Sequence, residues 1–282
     1  IEDLNYIDKI LFLGMFLLGL LSDMQKLKSP FVRLFLQSLI ICILLFFNKN
    51  FLIQTRLSYF DYLIENFQVI KILFTLFCLL ILINGTNFID GVNGLSSGYF
   101  IVIIINIIFI SKDFKSIDYY NLAILMNFLI VFYFFNLFSK SFLGDNGSYL
   151  ISTYIGFYLI IFFDEYRNII SPYYICLLLW YPAFENFFSI LRRKFIKRGF
   201  STYADNEHLH HFLFKYLNQK IGATKFSNSL TGILINLVNL IFIFYGSNYL
   251  NNTEILVSII LFLICTYLFL YFFLKKKLKK KL

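Results

Sequence analysis

The chain has 282 residues, of which 59% are hydrophobic and only 15% charged; its net charge is +9 and its mean hydropathy +0.74. Soluble domains run nearer half apolar and a quarter charged. Thirty-eight Phe and twenty Tyr exceed what a water-soluble core of this size can hide, which excludes a soluble globular protein and leaves an integral membrane protein.

Nine apolar runs follow in chain order, at about 8–21, 31–47, 69–87, 94–111, 120–138, 147–163, 172–191, 228–249 and 254–274. Most approach the roughly 17–25 residues a spanning helix needs. They predict an all-α, polytopic membrane helix bundle of about nine spans, one membrane-embedded domain over residues 1–282. The longest connections, 48–68 and 192–227, are too short for a soluble domain. The four cysteines, Cys42, Cys78, Cys176 and Cys265, all lie inside apolar runs without metal-ligand spacing and read as small core residues. Residues 1–8 lack the basic start and cleavage site of a signal peptide. With no Met at position 1, the chain is expected to be truncated at its N-terminus.

Four polar islands interrupt the runs: SDMQKLKSP from Ser22, NGTNFIDGVNGL from Asn84, GDNGS from Gly144 and DNEHLHH from Asp205. An even number of crossings separates each from the next, so all four are expected on one membrane face. Lys and Arg orient that face. With the islands cytoplasmic, eighteen basic residues fall on the cytoplasmic side and seven on the other. The C-terminus, where six lysines occupy the last eight residues, is then cytoplasmic too. Basic blocks that flank apolar spans answer to topology and anionic headgroups, so nucleic acid is not an expected partner.

Each island has a plain structural alternative. Asp23 ends the apolar stretch GLLSD and is either a helix-end polar residue or a site acid. Asn84, Asn87, Asp90 and Asn93 recur every three residues, which on a helical segment places them close to one face. Gly85, Gly91 and Gly94 permit sharp turns and close approach of a ligand. An ionised Asp near bilayer depth costs roughly 2.5–3.5 kcal/mol and is usually kept for a site, although an interhelical hydrogen-bonded turn would also place Asp90 there. Asp145 stands between glycines at a helix start. Amides at such a start attract phosphate, and Asp145 can hold a hard cation, but D-N-G also marks ordinary turns. His208, His210 and His211 are all the histidines of the chain. Zinc ligation, pyrophosphate contact and a solvated loop are the three readings. Upstream, Glu185, Arg192 and Arg193 add a carboxylate and two guanidinium forks suited to phosphate.

In order, GLLSD with Arg33 and Gln37, NGTNFIDGVNGL, FLGDNGS, and PAFENFFSILRR through HLHH resemble the polyprenyl-phosphate N-acetylhexosamine-1-phosphate transferases. These are membrane glycosyltransferases that initiate O-antigen, lipopolysaccharide and teichoic-acid synthesis, together with the muramoyl-pentapeptide translocases. The resemblance runs from about Gly19 to His211, and HLHH looks more like the amino-sugar branch. It implies transfer of a HexNAc-1-phosphate from a UDP-sugar to undecaprenyl phosphate at the cytoplasmic face of the inner membrane, with release of UMP. It also implies Mg2+, with Mn2+ as the alternative ion. On this resemblance Asp23, Asp90 and Asp145 are catalytic, with Asp145 the metal ligand and Asp23 serving the lipid phosphate. Asn87, Glu185, Arg192, Arg193, His208, His210 and His211 bind substrate. A homodimer is the assembly considered. Two further N-terminal spans, usual in the family, would make eleven. The chain departs from the family at Ser22, where a second acid is usual, and at Glu185, where Asp is common. The competing expectations are another sugar of the same family (muramoyl pentapeptide included), an inactive paralogue, and a transporter. A transporter would place its acids near the midplane rather than at one edge.

Overall fold

The computed structural model describes residues 6–49, 51–52, 54–111, 119–195 and 207–279. Among them are eleven α-helices and no strand: α1 Tyr6–Asp23, α2 Pro30–Asn48, α3 Ser58–Asn66, α4 Gln68–Ile89, α5 Leu95–Ile110, α6 Tyr119–Leu137, α7 Gly144–Tyr166, α8 Pro172–Phe195, α9 Leu209–Ile221, α10 Thr224–Gly246 and α11 Thr253–Lys279. Each of the nine predicted runs is a helix. Six of these, α2, α4, α7, α8, α10 and α11, have the length and hydropathy to cross a membrane; α5 and α6 are apolar but shorter. The two helices the apolar runs did not announce, α3 and α9, are short and amphipathic, so neither forms a continuous apolar stretch. The chain is a polytopic helical membrane bundle, with large side chains such as Phe31, Phe46, Phe134 and Phe269 pointing outward where lipid covers them.

Inside the bundle α4 packs between α7 and α8, α1 lies along α7, and α5 is held by α6 and α10. Without a hydrophobic drive between helices in lipid, small residues and polar contacts set such interfaces. Gly85 of α4 faces the carbonyl of Pro182 in α8 with no room for a methyl group. Pro182 lies inside α8. Buried interhelical hydrogen bonds join Tyr99 to the Leu178 carbonyl at 2.8 Å and Trp180 to Asn239 at 2.7 Å.

The helices alternate in direction, so the turns after α1, α4, α6 and α8 meet at one end. Contacts between the islands, described below, place that end. At the other end Arg56 bonds the Asn251 carbonyl and Thr253 at 2.8 and 2.7 Å, and the Ser171 amide donates to the Leu250 carbonyl at 2.7 Å. These bonds clasp the loops opposite the islands.

Candidate active site

The first turn of α7 is the hub. Gly144 has φ +67°, the left-handed region that glycine enters without strain, and its amide donates to Asp90 Oδ2 at 3.2 Å. The amides of Asp145 and Asn146 donate to Asp23 Oδ1 and Oδ2 at 3.0 and 3.2 Å. Two carboxylates from other helix ends therefore cap α7, satisfying orphan amides and the positive end of its dipole. The sequence suggested these amides as a phosphate cradle; the fold has already assigned three of them to acids. Asp23 is thus engaged with the backbone that carries Asp145.

Gly19 makes this approach possible. A Cβ there would stand 2.5 Å from the Asn146 nitrogen and the Asp145 carbonyl oxygen, and closer still to the Asn146 Cα. The α1 and α7 backbones touch at that point.

The Asp145 carboxylate is surrounded by donors. Ser22 Oγ donates to Oδ2 at 2.5 Å, Arg33 Nη1 at 3.0 Å, and Asn87 Nδ2 donates to Oδ1. Arg33 also donates to Ser22 Oγ at 2.7 Å. Ser22, the position where an acid is usual in the resembling family, therefore belongs to an Arg33–Ser22–Asp145 cluster. Burial, helped by the negative charges of Asp145 and Asp23, pushes the Asp90 carboxyl up to about 8, against the opposing Gly144 amide bond.

Of Asn84, Asn87, Asp90 and Asn93, spaced three apart, only the middle pair reaches the first turn of α7. Asn84 bonds Gln37 at 3.2 Å. Helix α4 stops at Ile89, so Asn93 lies beyond it. Its side chain bonds Ser139 at 2.7 Å and its amide bonds Asn228 at 2.6 Å. Asn87 and Asp90 remain beside α7.

The histidines join from α9. A Cβ on Gly91 would stand 2.6 Å from His210 Nε2 and 2.8 Å from His211 Cε1, so the Asp90–Gly91 turn lies directly against these rings. His208 stacks on His210, with centroids 5.3 Å apart and planes 10° apart, and packs against Phe88. Behind them Glu185 is fully buried. Its Oε1 lies 3.0 Å from His208 Nδ1 and 3.5 Å from His210 Nδ1, and Tyr267 donates to its Oε2. Burial, then the neighbouring histidines, pushes the His211 imidazole down to about 3. Arg192 is also buried, donating to the Glu207 carbonyl and, at 3.1 Å, to Tyr271. Arg193 lies over the Phe88 ring at 5.6 Å. Glu185 and Arg192 thus frame the histidine segment from inside the bundle, while Arg193 stays on its rim. Asp205 and Asn206 lie outside the described residues.

Tyr267 and Tyr271 of α11 escaped the sequence reading, because tyrosines in a Phe- and Leu-rich span look like lipid-facing aromatics. Gly19 escaped too, as one of several glycines in apolar runs. Arg33 entered the sequence reading only as part of the GLLSD-with-Arg33 resemblance, without a role; the structure gives it one, bonding Ser22 and Asp145 from the first turn of α2.

The donor set fits a hard cation in part. Carboxylates of Asp145 and Asp90 gather at one end, with the Asn87 side-chain amide donating to Asp145 beside them. Among the described residues, though, no three His, Cys, Asp or Glu side chains close into a metal cage. Mg2+ is usually held by one or two carboxylates, with phosphates and waters completing the octahedron, so this sparse set suits it.

Residues 9–163, more than half the chain, match the family profile described as glycosyl transferase family 4. The stretch contains Gly19, Ser22, Asp23, Arg33, Asn87, Asp90 and Asp145. An undecaprenyl-phosphate alpha-N-acetylglucosaminyl 1-phosphate transferase of Thermotoga maritima is 30% identical over 147 residues, which is 51% of this chain and 42% of that relative. The matched stretch therefore spans less than half the relative's length. Together with the helical membrane fold and the acids gathered at the head of α7, the profile match shows that the chain belongs to glycosyl transferase family 4.

Proposed function

We propose that this chain transfers a sugar-1-phosphate, a HexNAc-1-phosphate carried by UDP, to undecaprenyl phosphate at the cytoplasmic membrane face. The observation that carries the reading is that Asp23, Asn87 and Asp90, from the ends of α1 and α4, converge on the first turn of α7, which carries Asp145, with His210 and His211 packed against the adjoining Asp90–Gly91 turn. An oxygen of the lipid phosphate attacks the phosphorus nearest the sugar. The bond from that phosphorus to the bridging oxygen breaks, UMP leaves with that oxygen, and a lipid-linked sugar pyrophosphate forms. Such a displacement calls for positioning and charge neutralisation more than for a protein nucleophile.

Asp145 and Asn87, with Asp90, would hold Mg2+. When bound, the ion supplies positive charge for the pyrophosphate oxygens. Arg33 and Arg193 supply guanidinium forks for phosphate. His210 and His211 border the turn where the diphosphate would lie. Asp23 is a positioning residue that fixes the backbone of Asp145. Orientation rests on the eighteen-to-seven distribution of basic residues. The sugar, the pathway (O-antigen, lipopolysaccharide or teichoic-acid initiation), the inner-membrane location and a homodimeric state belong to this proposal.

The test supplies purified protein with undecaprenyl phosphate, Mg2+ and a panel of UDP-sugars, including UDP-N-acetylglucosamine, a 6-deoxy-HexNAc and the muramoyl pentapeptide, and measures UMP. Release with one or more sugars, abolished by Asp145→Asn, is the expected result. No UMP from any member, with the protein folded, would overturn the reading in favour of an inactive paralogue.

A further inference from the structure

Away from the acids, a cleft of about 450 Å³ opens between α9 and the C-terminal end of α11. Lys215, Lys275 and Lys279 line it, with Asn218 and Gln219 beside them. Its apolar side is made by Phe214 together with Phe212 and Leu278, the last two at only 7% and 9% exposure. The one acid in the lining, Glu207, is engaged by Lys275 at 3.0 Å and by Arg192 at 3.5 Å. Lys215 and Lys279 are exposed, and among the described residues neither forms an ion pair.

Depth decides what meets these lysines. The 27 residues of α11 extend about 40 Å at roughly 1.5 Å per residue. A hydrocarbon core of about 30 Å takes about 20 of them. Counted from Thr253, the core is used up just before Lys275, so Lys275–Lys279 stand at headgroup level. Helix α9, amphipathic and too short to span, lies against α11 at that same level. Its lysine stems can run along the apolar wall with their ammonium groups at the surface. Lys277 of α11 packs there differently, its ammonium held over the Tyr216 and Phe273 rings at 4.9 and 5.3 Å from their centroids.

We infer that this cleft is a binding site for an anionic diacyl phospholipid. The headgroup phosphate sits between Lys215 and Lys279, and an acyl chain lies on Phe214 and Leu278. The charge is complementary, Phe272 and Phe273 on the preceding turns of α11 are exposed, and the cleft stands at the depth of a glycerophosphate. A soluble anion would use the lysines and leave the wall exposed. The site does not depend on the transferase reading. It adjoins it through Glu207, which lines the cleft and directly precedes His208.

The test uses the whole chain in a neutral detergent, titrated with phosphatidylglycerol or phosphatidylcholine, with bound lipid counted by native mass spectrometry. Lys215→Glu combined with Lys279→Glu reverses charge at two exposed positions outside the transfer site. Each lysine near an anionic headgroup is worth about fivefold in affinity, so the double variant should bind phosphatidylglycerol at least about tenfold more weakly. Phosphatidylcholine should bind weakly and equally to both proteins. The neutralising pair Lys215→Gln and Lys279→Gln should lose an intermediate amount, and melting temperatures should stay within a few degrees. Equal phosphatidylglycerol binding by wild type and variants, or equal binding of the two lipids by wild type, would overturn the site. So would displacement of phosphatidylglycerol by millimolar inorganic phosphate, or retention of undecaprenyl phosphate alone.

Discussion

Gly19→Ala separates geometry from chemistry, because residue 19 bears no reacting group and the atoms nearest a methyl there are backbone. The added methyl would meet the Asn146 nitrogen and the Asp145 carbonyl oxygen at 2.5 Å, where ordinary contact begins near 3.4 Å. No side-chain rotation relieves backbone atoms, so the first turn of α7 must retreat by about 1 Å. Over-packing of this kind costs about 1–3 kcal/mol, which an otherwise intact bundle tolerates. The same retreat moves the Asp145 carboxylate off Ser22 and Arg33, whose bonds to it measure 2.5 and 3.0 Å. A misplacement of about 1 Å at a reacting centre costs on the order of 10²-fold in rate. The assay is UMP release alongside thermal unfolding in detergent, with Gly14→Ala as control, since a methyl there meets only the Ile40 Cδ1 at an ordinary 3.6 Å. The expected result is a kcat about 100-fold lower for Gly19→Ala, a melting temperature down by only a few degrees, and a silent control. A folded Gly19→Ala protein turning over within about threefold of wild type would refute the claim that α7 must seat against α1.

Ser22→Asp would place a second carboxylate against Asp145 with Arg33 between them; we expect a lower melting temperature without divalent ions and a larger rise on adding Mg2+ than wild type shows. Equal Mg2+ responses in the two proteins would detach residue 22 from any cation site. Glu185→Gln keeps the volume but removes the charge facing His208 and His210, and should cost about 1–3 kcal/mol and much of the activity. Glu185→Asp should recover part of both, and wild-type behaviour of the Gln variant would reduce Glu185 to packing. Asp90, with its folded value near 8 against an ordinary 3.8, holds a proton that the unfolded chain has released over that interval. Its contribution to stability is therefore complete below about pH 4 and lost as pH rises toward about 8. Divalent-free melting temperatures should fall across that window for wild type and less steeply for Asp90→Asn; parallel slopes would show that Asp90 is not the titrating group.

Period, hydropathy and the meeting of the polar islands at one end were legible in the chain itself. Nine apolar runs became nine helices because a segment in lipid must satisfy its own backbone, so apolar length alone specifies a helix. Parity of crossings then brought Ser22, Asp90, Gly144 and His208 to one end without knowledge of packing. Helices α3 and α9 were not legible as runs, since an amphipathic helix at a surface has no continuous apolar stretch. Only the tertiary structure decided what the polar residues touch. It spent the α7 amides on Asp23 and Asp90, turned Asn93 away where α4 ends at Ile89, and placed Ser22 beside Arg33. It also buried Glu185 and brought Tyr267 to it from more than 80 residues along the chain. The physical reason is range. Helix formation in a bilayer is settled by neighbours in sequence, whereas the partner of a buried carboxylate is settled by which helices pack side by side, and no local pattern of residues encodes that.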